Sequence, residues 1–329
     1  MAFFARTLGI CALLPLALAC ARSPGAPAPN VGAASREAEP VESPDTDPHE
    51  RQPLPHDIVM RAALPYQGLR YDDGKLLSRD DLLETLADVD LVCIGENHDN
   101  PHDHYAQLSL LQGLLRLAAY SGREVAVGFE MVQLPYQSVL DDWGAGKIDD
   151  DELLSGVEWD KRWRFDFNLY RPIFELGRRS SATLLALNAR SELTRKIARE
   201  GLRGLSDEER AELPELDLDD SAHRAWFHSM MREHPAPHAG MRRMYAAQVT
   251  WDETMAATAA KWLDKRTPAR QLVVIAGAGH CQHAAIPARV ARRTSVRVAA
   301  VKPIIVKGDD DPCPKLAGFD YGVLLQTER

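Results

Sequence analysis

The sequence predicts an α/β fold: a parallel or mixed central sheet flanked by helices, with an all-helical insertion capping one end. Apolar runs typical of buried strands alternate with amphipathic helical patterns. The clearest strand runs are residues 91–94, 125–129, 184–187 and 272–276. Residues 191–265 are helical in pattern and contain no strand candidate. At 329 residues, the chain is long enough for one large α/β domain.

The remaining elements follow from turn and cap signals, taken in chain order. Asp72-Asp73-Gly74-Lys75 predicts a hairpin turn, and Ser78 is a good cap for the next helix. Asn100 and Pro101 open a helix that runs to about residue 120. Further helices are predicted near residues 136–143, 172–179 and 287–293. Strands are predicted at 296–301 and, at an edge of the sheet, at 321–325.

The first 20 residues are typical of an export signal rather than of the folded domain. Arg6 supplies a positive start, and residues 8–19 are apolar but too few to span a bilayer. The run Leu16-Ala17-Leu18-Ala19-Cys20 resembles a bacterial lipobox, which makes Cys20 the predicted site of lipidation. The alternative is an ordinary secretory signal cut near Ala19. No Asp follows Cys20, so we expect the anchor at the outer membrane of a bacterial envelope.

Residues 21–56 form a predicted disordered tether that precedes the domain at 57–329. They are rich in proline and contain almost no large apolar side chains. Such a segment cannot bury enough surface to offset the entropy of ordering. The net charge of −9 gives no sign of nucleic-acid binding.

The cysteines of the predicted domain indicate no disulfide framework. Cys93 lies inside a strand pattern and is interpreted as a small core residue. Cys281 directly follows a histidine, which leaves two alternatives: a ligand, or a bridge to Cys313.

Two short segments repeat the same pattern and carry the most specific chemical signal. Gly95-Glu96-Asn97-His98 and Gly277-Ala278-Gly279-His280 each follow a buried-strand run and end in Gly-x-x-His. The carboxyl ends of parallel strands meet at one edge of a sheet, where ligands bind. We therefore expect the two histidines to belong to one composite site.

Other polar residues also follow strand runs and are predicted at the same edge. They are Glu96, Glu130 and Asn188. Together with His98 and His280, the glutamates are suitable ligands for a divalent metal that keeps one position open for water. The same groups are also suited to general acid–base catalysis. A third interpretation is that each polar residue only orders a loop.

Two helical regions supply further candidates. His104 and Tyr105 stand at the start of the helix opened by Pro101, with His104, Leu108 and Leu111 on one helical face. The insertion is rich in His, Met and aromatic residues, His228 among them. Met and aromatic residues at helical spacing are more often core than a cofactor pocket. Here they lie beside imidazoles, which are common iron ligands.

These motifs resemble the ChaN-like haem-binding lipoproteins of the Tiki and erythromycin-esterase-like superfamily. The likeness extends over most of residues 57–305. It includes these segments: 95–101 with His104 and Gln107, Gly128-Phe129-Glu130-Met131, Tyr170 with 172–175, Leu187-Asn188-Ala189, 241–255 and 275–280.

The resemblance implies haem binding through histidine and tyrosine ligands at a dimer interface, and with it a homodimer. It implies a role in haem or iron acquisition at the cell envelope. The candidate haem residues are His98, His104, Tyr105, His228 and His280. The superfamily pattern also implies an alternative, a metal-dependent esterase or peptidase that uses Glu96, His98, Glu130 and His280.

Overall fold

A computed structural model describes residues 66–233, 238–264, 269–306 and 317–326. The predicted signal, Cys20, the predicted tether and Cys313 lie outside the described residues. Within the described ranges, no helix is both long enough and apolar enough to cross a membrane.

One eight-stranded sheet organises the domain. Its strands, in chain order, are β1 (Tyr66–Arg70), β2 (Leu76–Leu77), β3 (Leu91–Glu96), β4 (Glu124–Gln133), β5 (Thr183–Asn188), β6 (Arg270–Gly277), β7 (Val298–Val306) and β8 (Tyr321–Gln326). Their spatial order is β2-β1-β8-β7-β3-β6-β4-β5. Strands β3 to β8 pair in parallel, whereas β1 is antiparallel to both β8 and β2. The predicted mixed α/β fold is confirmed.

Helices cover both faces of this sheet. They are α1 (Arg79–Ala87), α2 (Pro101–Ser121), α3 (Gln137–Gly144), α4 (Asp150–Gly156), α5 (Trp159–Arg162), α6 (Phe167–Arg179), α7 (Ser191–Glu200), α8 (Asp207–Ala211), α9 (Ser221–Met230), α10 (His238–Leu263), α11 (Ala278–Cys281) and α12 (Ile286–Arg293). Single 3₁₀ turns span Leu134–Tyr136, Leu202–Gly204 and Met231–Glu233.

Alternate residues of each central strand face different cores, as the period of two for a strand requires. In β3, Val92 and Ile94 belong to the core under α1, α2 and α6. Leu91 and Cys93 belong to the opposite core, under α10 and α12. Because both faces are buried, residues 91–95 of β3 do not alternate with polar residues, and Glu96 at its carboxyl end is the charged residue of the strand.

The helical insertion supplies one of these covering layers as well as smaller apolar clusters of its own. The second half of α10 packs on the sheet through side chains such as Met255 and Ala259. The buried Glu253 of α10 forms ion pairs with Arg289, Arg292 and Arg293, which fasten α12 to α10. This packing fixes α10 beside the carboxyl ends of β3 and β6.

Two boundaries predicted from the sequence are wrong. Strand β8 lies inside the sheet between β1 and β7, and not at an edge, because the hairpin of β1 and β2 pairs along its free side. Helix α6 begins at Phe167 with Asp166 as its cap, so Pro172 lies within the helix and not at its start. The second difference matters because it places Tyr170 on a helix.

Candidate functional site

The two Gly-x-x-His segments lie side by side. Strands β3 and β6 are parallel neighbours, with Glu96 directly paired to Gly277, and β4 lies on the other side of β6. The carboxyl ends of these three strands thus place Glu96, Glu130 and the start of α11 together. His98 and His280 follow within three residues of Gly95 and Gly277.

Glu96 is the centre of one hydrogen-bonded group. Its side chain is fully buried, and Oε1 accepts a hydrogen bond of 2.8 Å from the Tyr170 hydroxyl. The same oxygen lies 2.9 Å from Nδ1 of His98. Burial and the neighbouring carboxylate raise the pKa of Tyr170, so its hydroxyl remains a donor. Glu96 therefore orients His98, and Tyr170 of α6 in turn holds the Glu96 carboxylate in place.

His104 supports this group from the start of α2. Its Nε2 lies 3.1 Å from the His98 carbonyl oxygen, and its Nδ1 lies 3.2 Å from Oε1 of Gln107. Gln107 donates through Nε2 to the Ile94 carbonyl, which leaves Oε1 to face His104. Both nitrogens of His104 thus face acceptors, with Oε2 of Glu96 also at ion-pair distance, 3.2 Å. His104 is buried and serves the structure around His98.

His98 differs from the other histidines of the site because it is accessible. Its side chain is 31% exposed, and its ring contacts Trp163 and Phe165 at centroid distances of 4.7 and 4.8 Å. Burial opposes protonation, but the Glu96 hydrogen bond and the charge of Glu130 outweigh it and raise the pKa of His98. With Nδ1 held by Glu96, Nε2 faces the second segment at Gly277.

His280 is held between two buried carboxylates. Its Nδ1 lies 2.6 Å from Oδ1 of Asp252, and its Nε2 lies 3.3 Å from Oε1 of Glu130. Oε2 of Glu130 accepts a 2.6 Å hydrogen bond from the Gly277 amide. Burial opposes the charge on His280, but the two carboxylates more than compensate and raise its pKa well above the usual value. The two carboxylates therefore favour the protonated form of this ring and fix its orientation.

Asp252 continues this chain of contacts into the helical insertion. Its Oδ2 lies 2.8 Å from Nε2 of His223, and Nδ1 of His223 lies 3.2 Å from the Tyr245 hydroxyl. Gln248, one turn before Asp252 on α10, donates to the same Oδ2 over 3.2 Å. Burial acts to raise the pKa of Asp252, but His280 and His223 hold it well below its usual range.

Tyr170 and Asp252 were not identified from the sequence as site residues, and His223 was a candidate only as one of the histidines of the helical insertion. None follows a strand, so the strand-end criterion could not find them. Asp252 and Glu253 are charged residues within a run of mostly apolar and small residues in α10, and this pattern was the available signal. A buried carboxylate needs a polar partner, so a carboxylate in an apolar helix predicts a polar contact without identifying the residue that makes it.

A disulfide joins the two segments behind the site. Cys93 of β3 and Cys281 of α11 are bonded, with their Cα atoms 5.1 Å apart. The expectation of an unpaired core Cys93 is wrong, and neither alternative raised for Cys281, a ligand role or a bridge to Cys313, agrees with this bond. The reason is tertiary: β3 and β6 are neighbours, so the turn after β6 returns over the core face of β3.

These groups border an open cleft of about 480 Å³. Its floor is polar and includes His98, Gln248 and His280. Phe165, Trp226 and Met230 supply apolar walls. The volume lies within the roughly 300–1,000 Å³ range of small-molecule sites.

The remaining candidates lie around this cleft rather than in it. Tyr105 is buried and borders a separate small pocket with Leu108 and Leu169. His228 is exposed on α9. Asn188 donates through Nδ2 to the Glu130 carbonyl oxygen over 2.9 Å, so it supports the strand that carries this carboxylate.

The divalent-metal interpretation is not supported. Among the described residues, no three His, Cys, Asp or Glu side chains converge to hold a metal ion. Each of the three groups instead has a protein partner: Glu96 Oε1 accepts from Tyr170, Glu130 accepts from the Gly277 amide, and His280 contacts Asp252. The donor set forms ion pairs and hydrogen bonds, not an open coordination sphere.

Comparison with known proteins agrees with the architecture. The structure resembles that of ChaN from Campylobacter jejuni, described as binding cofacial haem, with a TM-score of 0.61 and 18% identity; the match covers 79% of this chain and 96% of that one. An erythromycin esterase mutant in its open conformation gives a TM-score of 0.44 at 12% identity, covering 78% of this chain and 82% of that one.

A curated relative adds a local sequence match. Protein RETICULATA-RELATED 5, chloroplastic, of Arabidopsis thaliana is 28% identical over 131 residues, which is 39% of this chain and 17% of that protein. The chain therefore spans less than a fifth of the length of this relative.

A family model described as haem-binding uptake, Tiki superfamily, ChaN, matches residues 82–290, which is more than half of the chain and includes both Gly-x-x-His segments. The chain belongs to this ChaN family.

Proposed function

We propose that this protein binds haem in the open cleft, where His98 would hold the iron. The observation that carries the proposal is the geometry of His98. Glu96 holds Nδ1, so Nε2 is the nitrogen available to bind a metal, and the ring is accessible from the cleft. A carboxylate on the second ring nitrogen is the usual support of a metal-binding histidine.

The cleft also suits the rest of a porphyrin. Phe165, Trp226 and Met230 offer apolar and aromatic surface to a flat ring. When bound, haem would supply an iron centre that accepts an imidazole ligand. This chain's own contribution is to orient the imidazole and to cover part of the ring.

The other four haem candidates suit this role less well. Both nitrogens of His104 and of His280 face oxygen acceptors. Tyr105 borders a different pocket, and His228 lies on the exposed side of α9. Of the five candidates named from the sequence, His98 is therefore the ligand that we propose.

We further propose that the protein is an envelope-tethered lipoprotein that acts in haem or iron acquisition. The lipobox-like run ending at Cys20 and the proline-rich segment after it support a lipid anchor on a tether. The Cys93–Cys281 disulfide supports an oxidising compartment outside the cytoplasm. An open cleft leaves part of a flat ligand uncovered, which supports a homodimer in which a second copy covers it.

Titration of the purified protein with haemin tests haem binding and its ligand together. We expect a saturable Soret shift for the wild type and a loss of affinity of roughly tenfold or more for His98→Ala. His228→Ala is the matched control and should bind like the wild type. A wild type without a saturable shift would refute haem binding, and an unaffected His98→Ala variant would refute the ligand assignment. Sedimentation with and without haemin tests the homodimer.

A further inference from the structure

We infer that His223 is a positioning residue of the cleft, which fixes helix α9 against the His280 turn through Asp252. Its ring is completely buried and bridges the Tyr245 hydroxyl and the Asp252 carboxylate. Neither contact is needed to orient His98, which is held by Glu96 and not by Asp252. The role of this buried histidine is therefore distinct from iron ligation.

The contacts of Asp252 make it a rigid junction between three elements. This carboxylate of α10 lies at 2.6 Å from the His280 ring on α11 and at 2.8 Å from the His223 ring on α9. A buried carboxylate that loses a partner is left with uncompensated charge, which is strongly unfavourable. Separation of α9 from this junction is therefore costly, and the helix keeps its place.

Helix α9 carries part of the cleft wall. Trp226 and Met230 follow His223 by three and seven residues, which puts all three on one side of the helix. The Trp226 ring lies so close to Gly279 that a Cβ atom added there would approach Trp226 Cζ2 to 3.1 Å. His223 (through Asp252) and Trp226 are thus two neighbouring residues that connect α9 to the segment that carries His280.

It follows that His223 sets the distance between this wall and the polar floor of the cleft. A flat aromatic ligand gains most when its faces meet apolar surface at contact distance. When α9 is released, Trp226 and Met230 lose that position while His98 keeps its own support from Glu96. Loss of His223 is therefore expected to weaken ligand binding without removing the ligand to iron.

Hydrogen exchange of α9, combined with haemin titration, tests the inference. In His223→Leu, which keeps bulk but removes both hydrogen bonds, we expect amide exchange of residues 221–230 to rise about tenfold or more. His223→Gln retains an amide donor for Asp252 and should restore much of the protection. His228→Ala, an exposed change on the same helix, is the control and should exchange like the wild type.

The haemin arm depends on the proposed function, whereas the exchange arm does not. His223→Leu should bind haemin several-fold more weakly with the Soret maximum of the bound form unchanged, since His98 is intact. His98→Ala should lose haemin affinity with α9 exchange unchanged. If the wild type fails to bind haemin, the proposed function fails but the exchange result still decides the role of His223. Wild-type exchange of α9 in folded His223→Leu would overturn the inference.

Discussion

Gly277 lies directly against the imidazole of His98, so that the glycine of one Gly-x-x-His segment makes room for the histidine of the other. A Cβ atom on Gly277 would come within 2.8 Å of His98 Cε1. Gly95 also permits a close approach, here to the backbone of the other segment, because a Cβ atom on Gly95 would come within 2.8 Å of the Ala278 Cα atom. The glycines permit a close approach of two strand ends that longer side chains would force apart.

Gly277→Ala should displace the His98 ring and weaken haemin binding. The added methyl would overlap Cε1 and crowd Nε2, the nitrogen that we assign to the iron. We expect a destabilisation of about 1–3 kcal/mol from this overpacking. Haemin titration and chemical denaturation measure the two effects. Gly144→Ala is the matched control, since its new Cβ atom would meet only Leu184 at an ordinary 3.4 Å. Equal haemin affinity in both variants would contradict the prediction.

Tyr170→Phe should raise the pKa of His98 further. The Tyr170 hydroxyl donates to the same Glu96 oxygen that faces His98, and its removal leaves that carboxylate a stronger acceptor for the histidine proton. We also expect a loss of about 1–3 kcal/mol in unfolding free energy, because a buried acceptor loses a partner. NMR titration of the His98 ring measures the shift. Tyr120→Phe removes a hydroxyl from a side chain that is 87% exposed and should change neither quantity.

The Asp252–His280 pair predicts a pH-dependent contribution to stability. The pKa of His280 is raised on folding, so its contribution is complete below about pH 6.5 and is lost as pH rises through the folded value. The pKa of Asp252 is lowered, so its contribution is present above about pH 4 and is lost as pH falls through the folded value. Both contribute fully between these limits.

Asp252→Asn should therefore cost most stability between about pH 4 and 6.5 and less in alkaline solution. We expect a maximum near about 3–5 kcal/mol, the usual cost of breaking a buried pair. Denaturation of wild type and variant across this pH range measures the difference. Asp151→Asn, on the exposed side of α4, is the control. A constant difference at all pH values would refute the assignment.

The Cys93–Cys281 disulfide predicts that reduction destabilises the site as well as the domain. The bond spans 188 residues of sequence. We expect Cys93→Ala to lower the free energy of unfolding by about 2–5 kcal/mol. Peptide mapping without reduction should recover residues 93 and 281 in one linked species. A Cys313→Ala variant should keep that species, whereas a Cys281–Cys313 linkage in the wild type would disprove the pairing.

The sequence was sufficient for the parts of the fold that depend on local pattern. Buried-strand runs and cap residues predicted β3, β4, β6 and the start of α2, since strand period and capping are properties of neighbouring residues. The order of strands in the sheet is not such a property. For this reason β8 was expected at an edge, and Cys93 was expected without a partner.

The site shows the same division between local and tertiary information. Strand-end position identified Glu96, His98, Glu130 and His280, which the fold brings to one edge. Asp252 and His223 reach that edge from helices. The His223 ring and the Asp252 carboxylate meet only after α9 and α10 have packed together. Neither helix has a sequence signal that specifies where its polar side chain points.

The position of β3 in the sheet also determines when the site can form. The two strands that pair with β3 are β6 and β7, and both follow it by more than 170 residues of sequence. The strand end that carries Glu96 and His98 therefore has no neighbouring strand until residues 270–301 have been synthesised. Such non-local pairing makes assembly slow, because long loops must close before any contact is gained. The two halves of the cleft are therefore among the last parts of the domain to come together, and chains that stop before β6 contain His98 without the surroundings that give it a function.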